Sequence, residues 1–210
     1  MDVQDFFTAA EKERIQKAVI AAEERTSGEI VPMIVGASAR YTEVELSGMI
    51  AGLIAGAAAG LAYENPWAST EVHLVLPTTG AALGLLLCRL PAVKRLLTPK
   101  TRVIEAVHLR SLAAFTAHGL HYTKAHTGIL ILVSLLERRV HVLADRGINE
   151  KVSPGTWDEI VSIVTSGLKS GKACDAFCAA IQRCGEILAT HFPRSPDDRD
   201  ELEDKLITEK

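Results

Sequence analysis

The chain has 210 residues, 48% hydrophobic and 23% charged, with a formal net charge of −3. That length holds one ordinary domain plus an extra element, but not two full domains. The slightly acidic balance excludes a general nucleic-acid binder, which needs a strongly basic face, and so much apolar content suits a soluble protein only if it is concentrated in segments.

The first residues, MDVQDFFTAAEKER, lack a basic stretch followed by an apolar run, so no cleavable secretion signal is expected. Thr8 with Glu11 forms a capping box, and Ile15, Ala18, Val19 and Ala22 recur at helical spacing before Ser27 and Gly28 end the pattern. This predicts an amphipathic helix. Glu29 to Gly36 is a short Val- and Ile-rich run that reads as a strand, with Pro32 pointing to a sheet edge or a bulge.

Two uncharged or nearly uncharged runs follow. Leu46 to Ala62 has no charge, and Val72 to Cys88 has only His73. At about 1.5 Å per residue each spans roughly 26 to 28 Å, the short end of a bilayer core, and neither shows a polar face. They predict a transmembrane hairpin over residues 46–90. Gly48, Gly52, Gly56 and Gly60 fall at every fourth position, and Gly80 and Gly84 sit in the second run. Such spacing lets a neighbouring backbone come close, either within the hairpin or between two copies. The connecting ENPWAST has no Lys or Arg, whereas Arg89, Lys94, Arg95, Lys100 and Arg102 follow the second run, which puts the loop outside and the remaining chain in the cytoplasm. Tyr63 and Trp67 occupy interfacial positions.

Helical period returns in TRVIEAVHLRSLAAFTAHGL, with Val103, Val107, Leu112 and Phe115 on or near one face and Gly119 at the end. GILILVSL and RRVHVLAD read as a β-hairpin across Leu136 and Glu137. Ser153 and Pro154 open a further helix, and KACDAFCAAIQRCGEILATHF supplies the last one. The charged residues 193–210 have little to bury and read as a flexible tail or loose helix. The expected fold class is α/β, a small α/β/α sandwich interrupted after its first strand by the two-helix hairpin, with the discontinuous domain at 1–42 and 98–192.

The order FTAAEKERIQKAVIAAEERTSGEIVPMIV, then HTGILILVSLLERRVHVLADRGI, then two helices resembles the TPM domain, found in thylakoid-lumen, bacterial and animal membrane-associated proteins. The most specific parts are the Thr26–Glu29 turn and the strand pair that ends in Asp145-Arg146-Gly147-Ile148. The hairpin after the first strand resembles a bacterial membrane-protein subfamily. The resemblance implies the sandwich fold and, variously, divalent metal binding, acid phosphatase activity, photosystem repair or receptor modulation; fold transfers better than function. Family members often carry Asp-Asn-Gly before the second strand. Here those positions are His126, Thr127 and Gly128, which removes the carboxylate that a hard cation would use.

His118, His121 and His126 lie close in sequence, with His108 and His141 further off, and Asp145 could complete a zinc set. Their positions across a helix end and a loop do not assure a common geometry, so hydrogen-bonded or surface histidines are the expected reading. Asp145 and Arg146 at a strand end, with Glu29 and Lys124, are candidate anion or metal ligands, and mutual charge pairing is their expected role. Arg138 and Arg139 offer a phosphate or anionic-lipid contact, or a charged turn. Cys88, Cys174, Cys178 and Cys184 have neither disulfide-framework nor CxxC spacing and read as small buried side chains. No Walker loop, GxSxG or HExxH occurs. The reading is therefore a multi-pass bacterial inner-membrane protein with a cytoplasmic TPM-like domain that acts as an interaction, regulatory or assembly module. Its expected partners are the lipid bilayer and a protein or second copy, without nucleic acid. No cofactor is assigned beyond a candidate divalent metal, and a metal-dependent phosphatase using Asp145 with His126 or His121 is the alternative.

Overall fold

The computed structural model describes residues 3–63, 71–194 and 202–209. The chain forms two compact units, Met1–Ser38 with Glu105–Lys210, and Ala39–Ile104. Residues 64–70, expected to connect the two runs and including Trp67, lie outside the described residues.

In the first unit, helix α1 (Ala9–Glu23) starts at the Thr8–Glu11 capping box. The turn that follows is built by Thr26, whose hydroxyl donates to the Phe192 carbonyl at 2.6 Å and accepts from the Gly28 amide at 3.1 Å. Strand β1 (Glu29–Val35) pairs in parallel with β2 (Gly128–Ser134), which pairs antiparallel with β3 (Arg139–Ala144). A further strand, β4 (Ile207–Glu209), pairs in parallel with β1, giving the order β3-β2-β1-β4.

Two expectations are corrected here. Pro32 does not mark an edge strand, because β1 is interior to the sheet. Glu29 N and Val35 O bond toward the β2 side, so Pro32, like Ile30, faces the other way, where pairing with β4 begins only at Met33. A missing N–H there breaks no ladder bond. The tail is likewise not all loose: Glu209 accepts from the Arg110 guanidinium and contacts His118 Nε2 at 3.1 Å, and the Gly36 amide donates to its carbonyl.

Alternate side chains of β1 and β2 feed two cores. Ile30, Ile34, Ile129, Ile131 and Val133 pack with Ile15, Val19, Phe177 and Ile181 of α1 and the last helix α8 (Ala173–His191), and with Ile160 and Val164 of α7 (Thr156–Lys169). Val31, Met33, Leu130 and Leu132 pack with Val107, Ala114 and Phe115 of α5 (Lys100–Ala117). Helices therefore cover both faces of a mixed sheet. Leu112, expected on the inner face of α5, is 42% exposed, because Ser111 and Phe115 take that face. α7 starts at Thr156 after a left-handed Gly155, so Ser153 and Pro154 form the preceding turn instead of its cap and first position. The β2–β3 turn takes four residues, Leu135 to Arg138, with Arg138 left-handed at φ 52°.

The second unit is helical: α2 (Thr42–Ala62), α3 (Val72–Arg89) and α4 (Pro91–Leu97). α2 and α3 are both long and apolar enough to cross a membrane, and only 11% and 6% of their apolar windows are buried. The outward side chains include Leu53, Ile54, Leu61, Leu74, Leu83 and Leu86. The two helices meet through backbone. A Cβ on Gly52 would fall on the Gly80 carbonyl, and one on Gly84 on the Gly48 carbonyl. Gly56 is blocked in the same way by Leu76, whereas a Cβ on Gly60 would meet nothing nearer than 3.6 Å.

Candidate functional site

The N-terminal ends of β1 and β2 and the C-terminal end of β3 share one edge of the sheet, because β1 and β2 are parallel and β3 returns antiparallel. Thr127 fixes the loop there: its amide bonds to Thr123 Oγ1 and its hydroxyl to the Ser27 carbonyl. His126 is left-handed at φ 53°, and its Nδ1 stands 3.3 Å from Asp145 Oδ2. The other oxygen of Asp145 accepts from the Arg146 amide at 2.6 Å and caps a short helix, α6 (Arg146–Asn149). Gly147 allows that helix to touch the loop, since a Cβ would lie 2.6 Å from the Ala125 carbonyl.

Of the sequence-derived candidates, the structure joins His126 with Asp145. Arg146 turns to Glu150 at 2.7 Å, and His121 stacks on Tyr122 with ring centroids 3.9 Å apart. The buried Nδ1 of His121 has no hydrogen-bond partner among the described residues. Glu29 is buried at the head of β1. Its charge acts on Glu23, the last residue of α1, which accepts the Ile30 amide at 2.7 Å and hydrogen-bonds Asp204. Burial pushes the Glu23 carboxyl up to about 10, with the Asp204 hydrogen bond adding to the rise and the Ile30 amide opposing it. This environment favours the protonated form of Glu23. Nothing in local spacing signals this pair, because Asp204 comes from the far end of the chain.

Two further groups carry no sequence motif. His108 Nδ1 and His141 Nε2 lie 3.3 Å apart, and burial, then His108, lowers the pKa of His141. All four cysteines are free; burial raises Cys174 to about 11 and Cys184 to about 12, so neither is a ready thiolate. Among the described residues no group of three or more His, Cys, Asp or Glu is placed to hold a metal ion. Asp145 has one oxygen on an amide and the other beside His126, so this pair does not fit the divalent metal that the TPM resemblance implies.

A four-stranded mixed sheet with helices on both faces, β1 separated from its parallel neighbour β2 by an inserted helical unit, defines an α/β sandwich protein with an apolar insertion. Within that class the chain carries a TPM domain: the TPM domain model matches residues 93–187, which include β2, β3 and α7. The BA42 protein of the psychrophilic bacterium Bizionia argentinensis, solved by NMR, is similar in fold, with a TM-score of 0.59 at 21% identity over 97% of this chain and 95% of that one. No curated protein matches the sequence.

Proposed function

We propose that this is a bacterial inner-membrane protein in which α2 and α3 span the bilayer and hold a cytoplasmic TPM domain that acts as an interaction or regulatory module. The observation that carries the reading is the inversion of the helical unit: its large apolar side chains point outward while glycine backbones make the contact between α2 and α3. Water penalises that arrangement; lipid favours it. The basic run Arg89 to Arg102 supports a cytoplasmic domain, and its partial pairing with Glu43 and Glu45 does not offset it, since acidic residues weigh little in topology. The glycine face is occupied by the chain's own second helix, so a homo-oligomer would use the outward apolar faces. Carbonate washing should leave the protein in the membrane fraction, and reporters fused at Pro66 and at the C-terminus should report opposite sides. Release by carbonate would sink the anchor, and an exported C-terminus would sink the orientation.

The alternative, a phosphatase, is favoured by the His126–Asp145 contact alone. It requires phosphomonoester hydrolysis that falls with Asp145→Ala; an inactive purified protein across a broad phosphoester panel ends it.

A further inference from the structure

At the end of β2 opposite the His126–Asp145 edge, the first unit holds a cleft of about 490 Å³, within the roughly 300–1,000 Å³ typical of small-molecule sites. Register builds its floor: Val133 and Val140 are cross-strand partners and so emerge on the same face. Phe6, Leu135 and Leu168 complete apolar walls, and Thr165 and Lys169 present one face of the last turns of α7. Arg138, from the turn between the strands, closes the lining with Ser134.

The charge at this cleft is one-sided. Neither the Arg138 nor the Lys169 side chain makes an ion pair among the described residues. The carboxylate next to Arg138 in sequence, Glu137, is folded inward, where one oxygen accepts the Ser38 amide at 2.9 Å and the other the Ser134 hydroxyl. The cations at the rim are thus not neutralised by the turn that carries one of them. An apolar hollow with two cations that are unpaired among the described residues matches a ligand that has an apolar body and one anionic end. A neutral hydrocarbon would leave the charges unused, and a small hydrophilic anion would leave the walls wet.

We propose that this cleft binds a single acyl chain bearing a carboxylate, the chain against Phe6, Val133, Leu135, Val140 and Leu168 and the carboxylate on Arg138 and Lys169. The site lies wholly within the α/β unit, so it stands apart from the anchoring reading and does not depend on it.

The test uses the full chain in phosphatidylcholine nanodiscs with a dodecanoate that carries a terminal diazirine, followed by peptide mapping of the photo-adducts. Labelling is expected in the peptides that contain residues 133–140 and 165–169, displaced by excess dodecanoate and about tenfold less well by dodecanol. Arg138→Gln with Lys169→Gln changes exposed positions, should leave the circular dichroism spectrum intact, and should cut labelling of those peptides about tenfold. Val140→Trp, which fills the cleft, should remove it. Adducts confined to α2 and α3, equal displacement by dodecanol, or full labelling of the double variant would each overturn the proposal.

Discussion

The two units of this chain solve the same problem, bringing secondary structure together, by opposite means. In the α/β unit, large side chains such as Phe177, Ile15, Met33 and Leu130 are fully buried and the elements are held apart by side-chain thickness. In the helical unit the side chains that could form such a core are outside, and the helices touch at Gly48, Gly52, Gly80 and Gly84. The first arrangement gains from excluding water; the second gains nothing from water and relies on close backbone approach. The difference teaches that burial statistics alone misjudge stability here. Each unit has to be judged by the kind of contact that holds it together.

The strongest way to break the contrast is to give the helical unit side chains at its seam. Gly52→Leu with Gly80→Leu places side chains where carbonyls already sit, so α2 and α3 should separate outright, seen as loss of the thermal transition of that unit in mild detergent. Gly60→Ala, with open space around it, should leave the transition in place; equal damage from both would mean that the glycine seam is not what holds the pair. On the other side of the contrast, Phe177→Ala empties a site that packs edge-on against Phe7. It should cost ~3–5 kcal/mol in denaturant unfolding of the α/β unit, with the helical unit unaffected.

A smaller effect concerns pH. Glu23 is raised from its ordinary value of 4.5 to about 10 on folding, so the unfolded chain ionises first as pH rises. The stability this group contributes is fully present below about 4.5 and is lost progressively up to about 10. Glu23→Gln keeps an acceptor for the Ile30 amide and can donate to Asp204; it should stabilise the unit by about 1 kcal/mol or more at pH 8 and flatten its pH dependence. An unchanged pH profile would mean that Glu23 is ionised in the fold. Smallest of all, Thr8→Ala removes the α1 capping box and should cost about 1 kcal/mol, measured in the same unfolding assay.

Much of the architecture was readable because it is periodic or capped locally: the Thr8–Glu11 box, the strand runs at Glu29 and Gly128, and the two uncharged segments. What escaped is what depends on distant partners. β4 is three residues long and has no period to read; Arg110 and His118 on α5 hold its Glu209. Pro32 misled because a proline forbids pairing on one side of a strand only, and sequence does not say which side has a neighbour. In the candidate site, Asp145 and His126 were legible as residues at strand ends, and the structure brings them together. His121 and Arg146 look equivalent in sequence, yet each turns to a local neighbour. The Glu23–Asp204 hydrogen bond and the cleft at Val133 and Val140 arise only from tertiary packing and register.

The interior position of β1 also has a consequence for biosynthesis. β1 is made before both of its neighbours: β2 follows only after α2 through α5, and β4 comes after α8. A nascent chain therefore carries an apolar strand with two unpaired edges while α2 through α5 are being synthesised, the kind of surface that chaperones shield and that aggregates when they do not. Slowing translation downstream of α3 should lengthen that vulnerable interval and lower the yield of folded protein, even though no residue of the finished molecule has changed.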